Sequence, residues 1–352
     1  MDCRKYLRNT LILLLAVLAL IAAYVAVVDP YFHYHKALGI LEYPLDNERY
    51  QNDGIARNFD YDAIITGTSM AENFRTSELD ELFGVNSVKL CFSGASFKET
   101  GDRLRRALKN HPDTKMVVRC LDYYKFAEDK DHMEYDSYPD YLYDDSIFND
   151  VRYLFDKNTL TKCREVIEYT LDGNTTTSFD DYSSWRDKYE YGEAAVKAHY
   201  DREKTCADEQ KPFTDGFKAA NDATIDQNVI SLIKDYPDTQ FYIYLPPYGL
   251  AAWDGMYRIG NLGIVMDEQE YIISKLLQYD NVHVFAFLDC YDIICDLDNY
   301  MDTSHYGPWV NSMILESMST GEHEITEENL HDYCAEVKEF YLNYDYDAVF
   351  GD

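Results

Sequence analysis

Residues 62–70 read Asp62-Ala63-Ile64-Ile65-Thr66-Gly67-Thr68-Ser69-Met70. The short apolar run from Asp62 to Thr66 has the length and β-branched content of a buried strand. Gly67 breaks it, and a helical stretch follows to Phe83. A glycine two residues before a serine lets the chain turn sharply from strand to helix. The hydroxyl is then presented at a helix N-terminus, where backbone N–H groups can hold a negative oxygen. Gly-x-Ser is common, however, and a serine in this position is most often a plain helix cap.

The segments on either side repeat the strand-then-helix alternation. Ser87–Phe92, Lys115–Leu121, Thr239–Leu245 and Val282–Leu288 read as further strands. Phe97–Asn110, Met266–Gln278, Pro308–Ser317 and Glu327–Asn343 read as helices. Such alternation predicts an α/β fold, a three-layer sandwich with a central parallel sheet. Residues 123–214 interrupt the pattern between the third and fourth strands. They are polar, acidic and rich in tyrosine, with helical patches at Ile147–Phe155 and Thr159–Leu171. A structureless loop of that length would be unusual, so the stretch is expected to be a helical insertion beside the carboxyl edge of the sheet. The domain plan is then residues 1–28, a juxtamembrane segment 29–60, and an α/β domain 61–352.

The N-terminus sets the environment. Arg4, Lys5 and Arg8 precede an uncharged apolar run, residues 11–28. Eighteen helical residues span roughly 27 Å, close to the ~30 Å hydrocarbon core of a bilayer. The basic flank predicts a cytoplasmic tip and a single-pass, membrane-held protein with its bulk outside the cell. A cleaved signal peptide is the rival reading, with only a poor cleavage site at Ala23, Val25 and Ala26. Setting aside Arg4, Lys5, Arg8 and Asp2, residues 29–352 carry 29 basic and 63 acidic residues, a net charge of −34. That excludes nucleic acid as a tight partner. Cys3 lies before the apolar run and leaves seven cysteines beyond it, an odd number that cannot all pair. Cys290 and Cys295 are open to pairing, while Cys91 and Cys120 sit in apolar runs as small core residues. No C-x-x-C, phosphate-binding loop or dinucleotide fingerprint occurs, and the acidic run Asp129–Asp145 lacks the glycine and closing glutamate of a calcium loop. Neither a metal nor a cofactor is expected.

A partner for Ser69 stands near the C-terminus, in Met301-Asp302-Thr303-Ser304-His305-Tyr306-Gly307-Pro308. A carboxylate three residues before a histidine can bond its Nδ1 within one loop, leaving Nε2 to take a serine proton. Asp-x-x-His also occurs at Asp129/His132 and Asp280/His283. His283 falls inside a strand and His132 inside the acidic insertion. His305 alone lies between the last predicted strand and a new helix, where a catalytic loop belongs.

Together these pieces resemble the SGNH/GDSL hydrolase family. Its first block carries the nucleophile, here Gly67-Thr68-Ser69, and its last block is Asp302-Thr303-Ser304-His305. The run Lys89-Leu90-Cys91-Phe92-Ser93-Gly94-Ala95-Ser96 matches the second block, and the resemblance implies Gly94 as an oxyanion-hole donor. The third block normally supplies an asparagine donor. This chain has Arg119-Cys120-Leu121-Asp122 there, and an ionised Asp122 cannot donate. The third donor is then missing or comes from elsewhere, with Asn73 or Arg119 as candidates. The anchor, the run Thr68-Ser69-Met70-Ala71-Glu72-Asn73-Phe74, the element Tyr244-Leu245-Pro246-Pro247-Tyr248 and the His305-Tyr306 loop are similar to a membrane-anchored branch of that family, which includes the teichoic-acid D-alanyl transfer and alginate O-acetylation proteins. The resemblance covers residues 47–125 and 236–320. It implies a serine esterase or O-acyltransferase with a surface glycan or polymer as acceptor, and a membrane-bound O-acyltransferase as partner. The competing expectation is an inactive glycan-binding or assembly subunit with the same fold.

Overall fold

The structure, a computed structural model, describes residues 3–135 and 137–351. Six strands form one sheet: β1 (Ala63–Thr66), β2 (Ser87–Lys89), β3 (Met116–Cys120), β4 (Gln240–Leu245), β5 (Val282–Ala286) and β6 (Glu324–Ile325). Their order is β2-β1-β3-β4-β5-β6. The first five are parallel in register, for example Ile65 opposite Lys89 and Val118, and β6 runs antiparallel to β5. The α/β class and the parallel sheet therefore stand as the sequence predicts, with β6 added at the edge. Every residue of β1, β2 and β3 is buried, including the polar Ser87 and Lys89 of β2 and Arg119 of β3, as expected where both faces of a parallel sheet are covered.

From β1 the chain moves outward to β2, then returns past β1 to β3 and on through β4 and β5. The winding direction reverses between β1 and β3. Loops at the carboxyl ends of these two strands diverge there and leave a crevice, the usual place for a ligand in an open parallel sheet.

The chain divides into two compact units. One holds residues up to 60 together with Ser137–Ser178; the other holds Tyr61–Asp136 and Phe179 onward. This grouping divides the stretch 123–214 between the two units. Residues 137–178 group with the N-terminal segment, while 179–214 belong to the α/β unit and supply part of its candidate site.

In the first unit a helix runs from Cys3 to Val28, with mean hydropathy 3.1 over its most apolar window and few buried residues. It is long and apolar enough to cross a membrane, and it starts earlier than the uncharged run. Helices Val151–Phe155 and Lys157–Leu171 pack against it. At its end Asp29 adopts a left-handed backbone and its carboxylate accepts N–H bonds from His33, Tyr34 and His35 and the hydroxyl of Tyr153. That one side chain satisfies four donors where the chain leaves the helix.

None of the cysteines forms a disulfide among the described residues, Cys290 and Cys295 included.

Candidate active site

Gly67 ends β1 with φ +150°, and a Cβ at that position would lie 2.7 Å from the Cβ of Cys120. The turn therefore requires glycine for both conformation and space. Thr68 caps the four-residue helix Ser69–Glu72, its hydroxyl oxygen facing the N–H of Met70 at 3.5 Å. So short a helix satisfies almost none of its own carbonyls. Side chains from distant parts of the unit do so. Trp185 Nε1 donates to the Ser69 carbonyl at 3.2 Å. Tyr244, Tyr306 and Asn311 all donate to the Met70 carbonyl, at 3.3, 3.2 and 3.2 Å. Lys89 Nζ reaches the carbonyls of Glu72 and Phe74, at 2.5 and 3.0 Å. Burial pushes the Lys89 ammonium down to about 8.

Ser69 Oγ lies 2.8 Å from His305 Nε2, and His305 Nδ1 lies 2.8 Å from Asp302 Oδ2. Asp302 Oδ1 accepts the N–H groups of Ser304 and His305, both at 2.8 Å. These bonds fold the Asp-x-x-His segment into a closed loop, with the Met301 N–H on the His305 carbonyl at 3.0 Å. Burial alone would raise the Asp302 pKa. The bond and charge of His305, with the two backbone N–H groups, outweigh it and hold the carboxyl below its ordinary value. An ionised Asp302 can only accept at Nδ1, which favours the tautomer with Nδ1–H toward Asp302 and the Nε2 lone pair toward Ser69. The Trp185 ring stands perpendicular to the His305 ring, centroids 5.4 Å apart.

Ser69 and His305 open on a cavity of about 360 Å³ that is also lined by Glu72, Ser93, Gly94 and Trp185. Tyr189 and Met301 line it too and are shared with a second cavity of about 530 Å³, which reaches Asp302 and Tyr191. Gly94 has φ +69°, and the hydroxyl of Tyr135, bonded to the Ser93 carbonyl at 2.9 Å, holds the adjacent backbone.

Of the four positions named for oxyanion or substrate binding, Gly94 lines the cavity and the other three do not. Asn73 is buried, and its Oδ1 accepts from Ser184 Oγ and the Trp185 N–H, both at 3.1 Å. It anchors the segment that carries Trp185. Arg119 is fully buried in β3 with no partner for any guanidinium nitrogen, and burial lowers its pKa to about 10. Asp122 accepts from Thr68 Oγ1 at 2.9 Å and from Tyr248 at 2.7 Å, so it orients the cap of the Ser69 helix. The second Gly-x-Ser has the bland role. Ser96 and Glu99 form a reciprocal capping box at the start of helix Phe97–Asn110. His283 is engaged by Glu324 and Gln240, within the sheet.

Sequence reading missed Trp185 and Asn311. Lys89, Tyr244 and Tyr306 stood in the runs quoted for the family resemblance, without a role. No family model matches the chain, and no curated protein matches it.

Proposed function

We propose that this chain is a serine esterase or O-acyltransferase of the SGNH type, with Ser69 as nucleophile, His305 as base and then acid, and Asp302 as its orienting carboxylate. The observation that carries this reading is the unbroken Ser69–His305–Asp302 relay, both links at 2.8 Å, at the mouth of a cavity. Its place beyond β1, where the winding reverses, agrees with it.

In the proposed reaction Ser69 Oγ attacks an acyl carbonyl and passes its proton to His305 Nε2. The oxyanion faces the N–H groups of Ser69 and Gly94. His305 protonates the departing alcohol or thiol, leaving Ser69 acylated. The same nitrogen then deprotonates water or a sugar hydroxyl, whose oxygen attacks the acyl-enzyme and releases Ser69. Asp302 stabilises the imidazolium in both halves. The second cavity, with Tyr189 and Tyr191 on its wall, suits an acceptor that stacks on aromatic rings. The apolar helix Cys3–Val28 would hold the α/β unit outside the cell membrane, near a surface glycan or polymer and a membrane-bound O-acyltransferase that supplies acyl groups.

A specific observation favours a second reading, an inactive glycan-binding or assembly subunit. No side-chain amide lines the Ser69 cavity, and Asp122 is committed to Thr68 and Tyr248. The test separates the two. A serine-directed phosphonate should label the full-length protein in detergent, and labelling should vanish in Ser69→Ala and survive Ser96→Ala. Cells carrying Ser69→Ala should lose acyl groups from their surface polymer. Equal labelling of Ser69→Ala and the parent would end the triad assignment. No labelling and unchanged acylation would establish the binding subunit.

A further inference from the structure

We propose that Asp289, Cys290 and His323 form a second site in the α/β unit, one that binds a divalent transition cation of the zinc class. β5 ends at Ala286, and the chain turns at once through Phe287-Leu288-Asp289-Cys290, with the Cys290 N–H on the Phe287 carbonyl at 3.1 Å. His323 directly precedes β6 and holds a left-handed backbone, φ +60°, uncommon for a residue with a side chain. Its carbonyl accepts the Ala286 N–H at 3.3 Å. Pairing of β5 with β6 thus brings together side chains that are 33 residues apart.

The geometry points to a cation. Asp289 Oδ1 lies 3.2 Å from His323 Nδ1, and Cys290 Sγ lies 4.0 Å from each. In the plane of these three atoms the equidistant point is about 2.2 Å from each, within the roughly 2.0–2.3 Å of zinc bonds to oxygen, nitrogen and sulfur. Because Sγ lies nearer Nε2 than Nδ1, 3.6 against 4.0 Å, binding turns the partly exposed His323 ring to aim a nitrogen lone pair at the ion. Among the described residues this is the one His/Cys/carboxylate group whose ligand atoms converge so closely. Its chemistry selects the ion. A thiolate and an imidazole favour zinc or cobalt over magnesium or calcium, which take oxygen ligands. Cys290 is buried, which shields the sulfur, while the Asp289 and His323 side chains are 32% and 21% exposed and leave a fourth position open to water. Binding forms the metal–sulfur and metal–nitrogen bonds and releases two protons to solvent, one from the Cys290 thiol and one from the His323 ring, with no change of oxidation state. The ion would tie the end of β5 to the two-residue edge strand β6.

The test uses the full-length chain in detergent, freed of metal by a chelator and titrated with cobalt(II). One equivalent should produce a thiolate-to-cobalt charge-transfer band, and zinc should abolish it by displacement. Cys290→Ser should lose the band and Cys295→Ser should keep it. His323→Asn, chosen because asparagine accepts the left-handed backbone, should bind at least about tenfold more weakly. Phosphonate labelling or a thermal melt reports whether each variant has folded, and if Cys290→Ser does not fold, His323→Asn decides. Absence of the band in the parent, its persistence in Cys290→Ser, or unchanged affinity in His323→Asn would overturn the proposal.

Discussion

Two clusters in the α/β unit contain the same kinds of group, a nucleophilic atom, an imidazole and a carboxylate, each beyond the carboxyl end of a parallel strand. They differ in arrangement. In the first, Ser69 and Asp302 occupy opposite nitrogens of His305, both at 2.8 Å. In the second, Asp289 sits on Nδ1 of His323, and Cys290 Sγ lies 3.6 Å from Nε2, 4.0 Å from Nδ1 and 4.0 Å from Asp289. In the linear arrangement one nitrogen can exchange a proton with Ser69 while the other stays hydrogen-bonded to Asp302. A triangle beside the ring converges on a point. Without a cation the bond from Asp289, then that from Cys290, pushes His323 up to about 10, so the ring itself carries the positive charge. The backbone beneath the clusters differs too. Five side chains hold the carbonyls of the Ser69 turn, whereas the Cys290 turn combines backbone bonds with two tyrosines, the Tyr333 hydroxyl oxygen accepting the Leu288 N–H at 2.9 Å and the Tyr341 hydroxyl donating to the Leu288 carbonyl at 2.8 Å.

The largest expected effect tests whether the linear cluster acts as a unit. Ser69→Ala, His305→Ala and Asp302→Asn should each lower ester turnover by roughly 10⁴–10⁶-fold, with double variants little worse than singles. Turnover of a small acetyl ester by the full-length protein measures this. Multiplying losses in the doubles would mean the three groups act independently and would break the contrast drawn above.

A smaller effect tests the scaffold of the turn. Trp185→Phe removes one donor from the Ser69 carbonyl and keeps the ring against His305. One such bond is worth about 1 kcal/mol, so kcat should fall about five- to tenfold. KM should stay nearly constant if Trp185 acts by positioning Ser69. A large rise in KM at constant kcat would instead assign Trp185 to substrate contact.

Lys89 offers a pH test of the same scaffold. Its pKa in the folded chain, about 8, lies below its ordinary 10.5, chiefly through burial. Below pH 8 the folded and unfolded chains both hold the proton, so this group adds no pH dependence. Between pH 8 and 10.5 the unfolded chain keeps the proton and the folded chain releases it, so the Lys89 contribution to stability rises with pH. Lys89→Met should lose that rise, and it also leaves two buried carbonyls without their donor, at a cost of about 1–3 kcal/mol each. Thermal midpoints of parent and variant across this range isolate the contribution. Parallel profiles would show that Lys89 stays charged throughout.

The difference between the clusters also explains what could be read beforehand. The Ser69 turn was legible because a glycine and a serine two residues apart follow an apolar strand. The Asp302–His305 loop was legible because its two functional side chains lie three residues apart and bond each other locally. Nothing local marks Trp185 or Asn311, which meet the turn across more than a hundred residues of chain. The Asp289/Cys290/His323 group is likewise split, and β6, which joins its halves, is two residues long and carries no periodicity. The split insertion escaped notice because composition barely changes at residue 178, while packing does. Asn73 and Arg119 are polar and close in sequence to the site elements, but both are buried and neither lines the Ser69 cavity.

The smallest expected effect is the one that separates the clusters. β1 and β5 are three strand spacings apart in the sheet, about 14 Å at about 4.8 Å per strand. Substitutions beyond about 7–10 Å that share no partner combine independently, and no hydrogen bond links the Ser69 relay to Asp289, Cys290 or His323 among the described residues. Cys290→Ser should therefore leave the rate of phosphonate labelling at Ser69 within about twofold of the parent. Ser69→Ala should leave cobalt affinity within about twofold in turn. The double variant should show each loss unchanged in size. Labelling that responds to cobalt in the parent but not in Cys290→Ser would join the clusters into one device, with the β5 end and the intervening strands as its rigid connection. Labelling indifferent to cobalt in both would leave the cation a local clamp on the sheet edge, serving stability while the relay at β1 performs the chemistry.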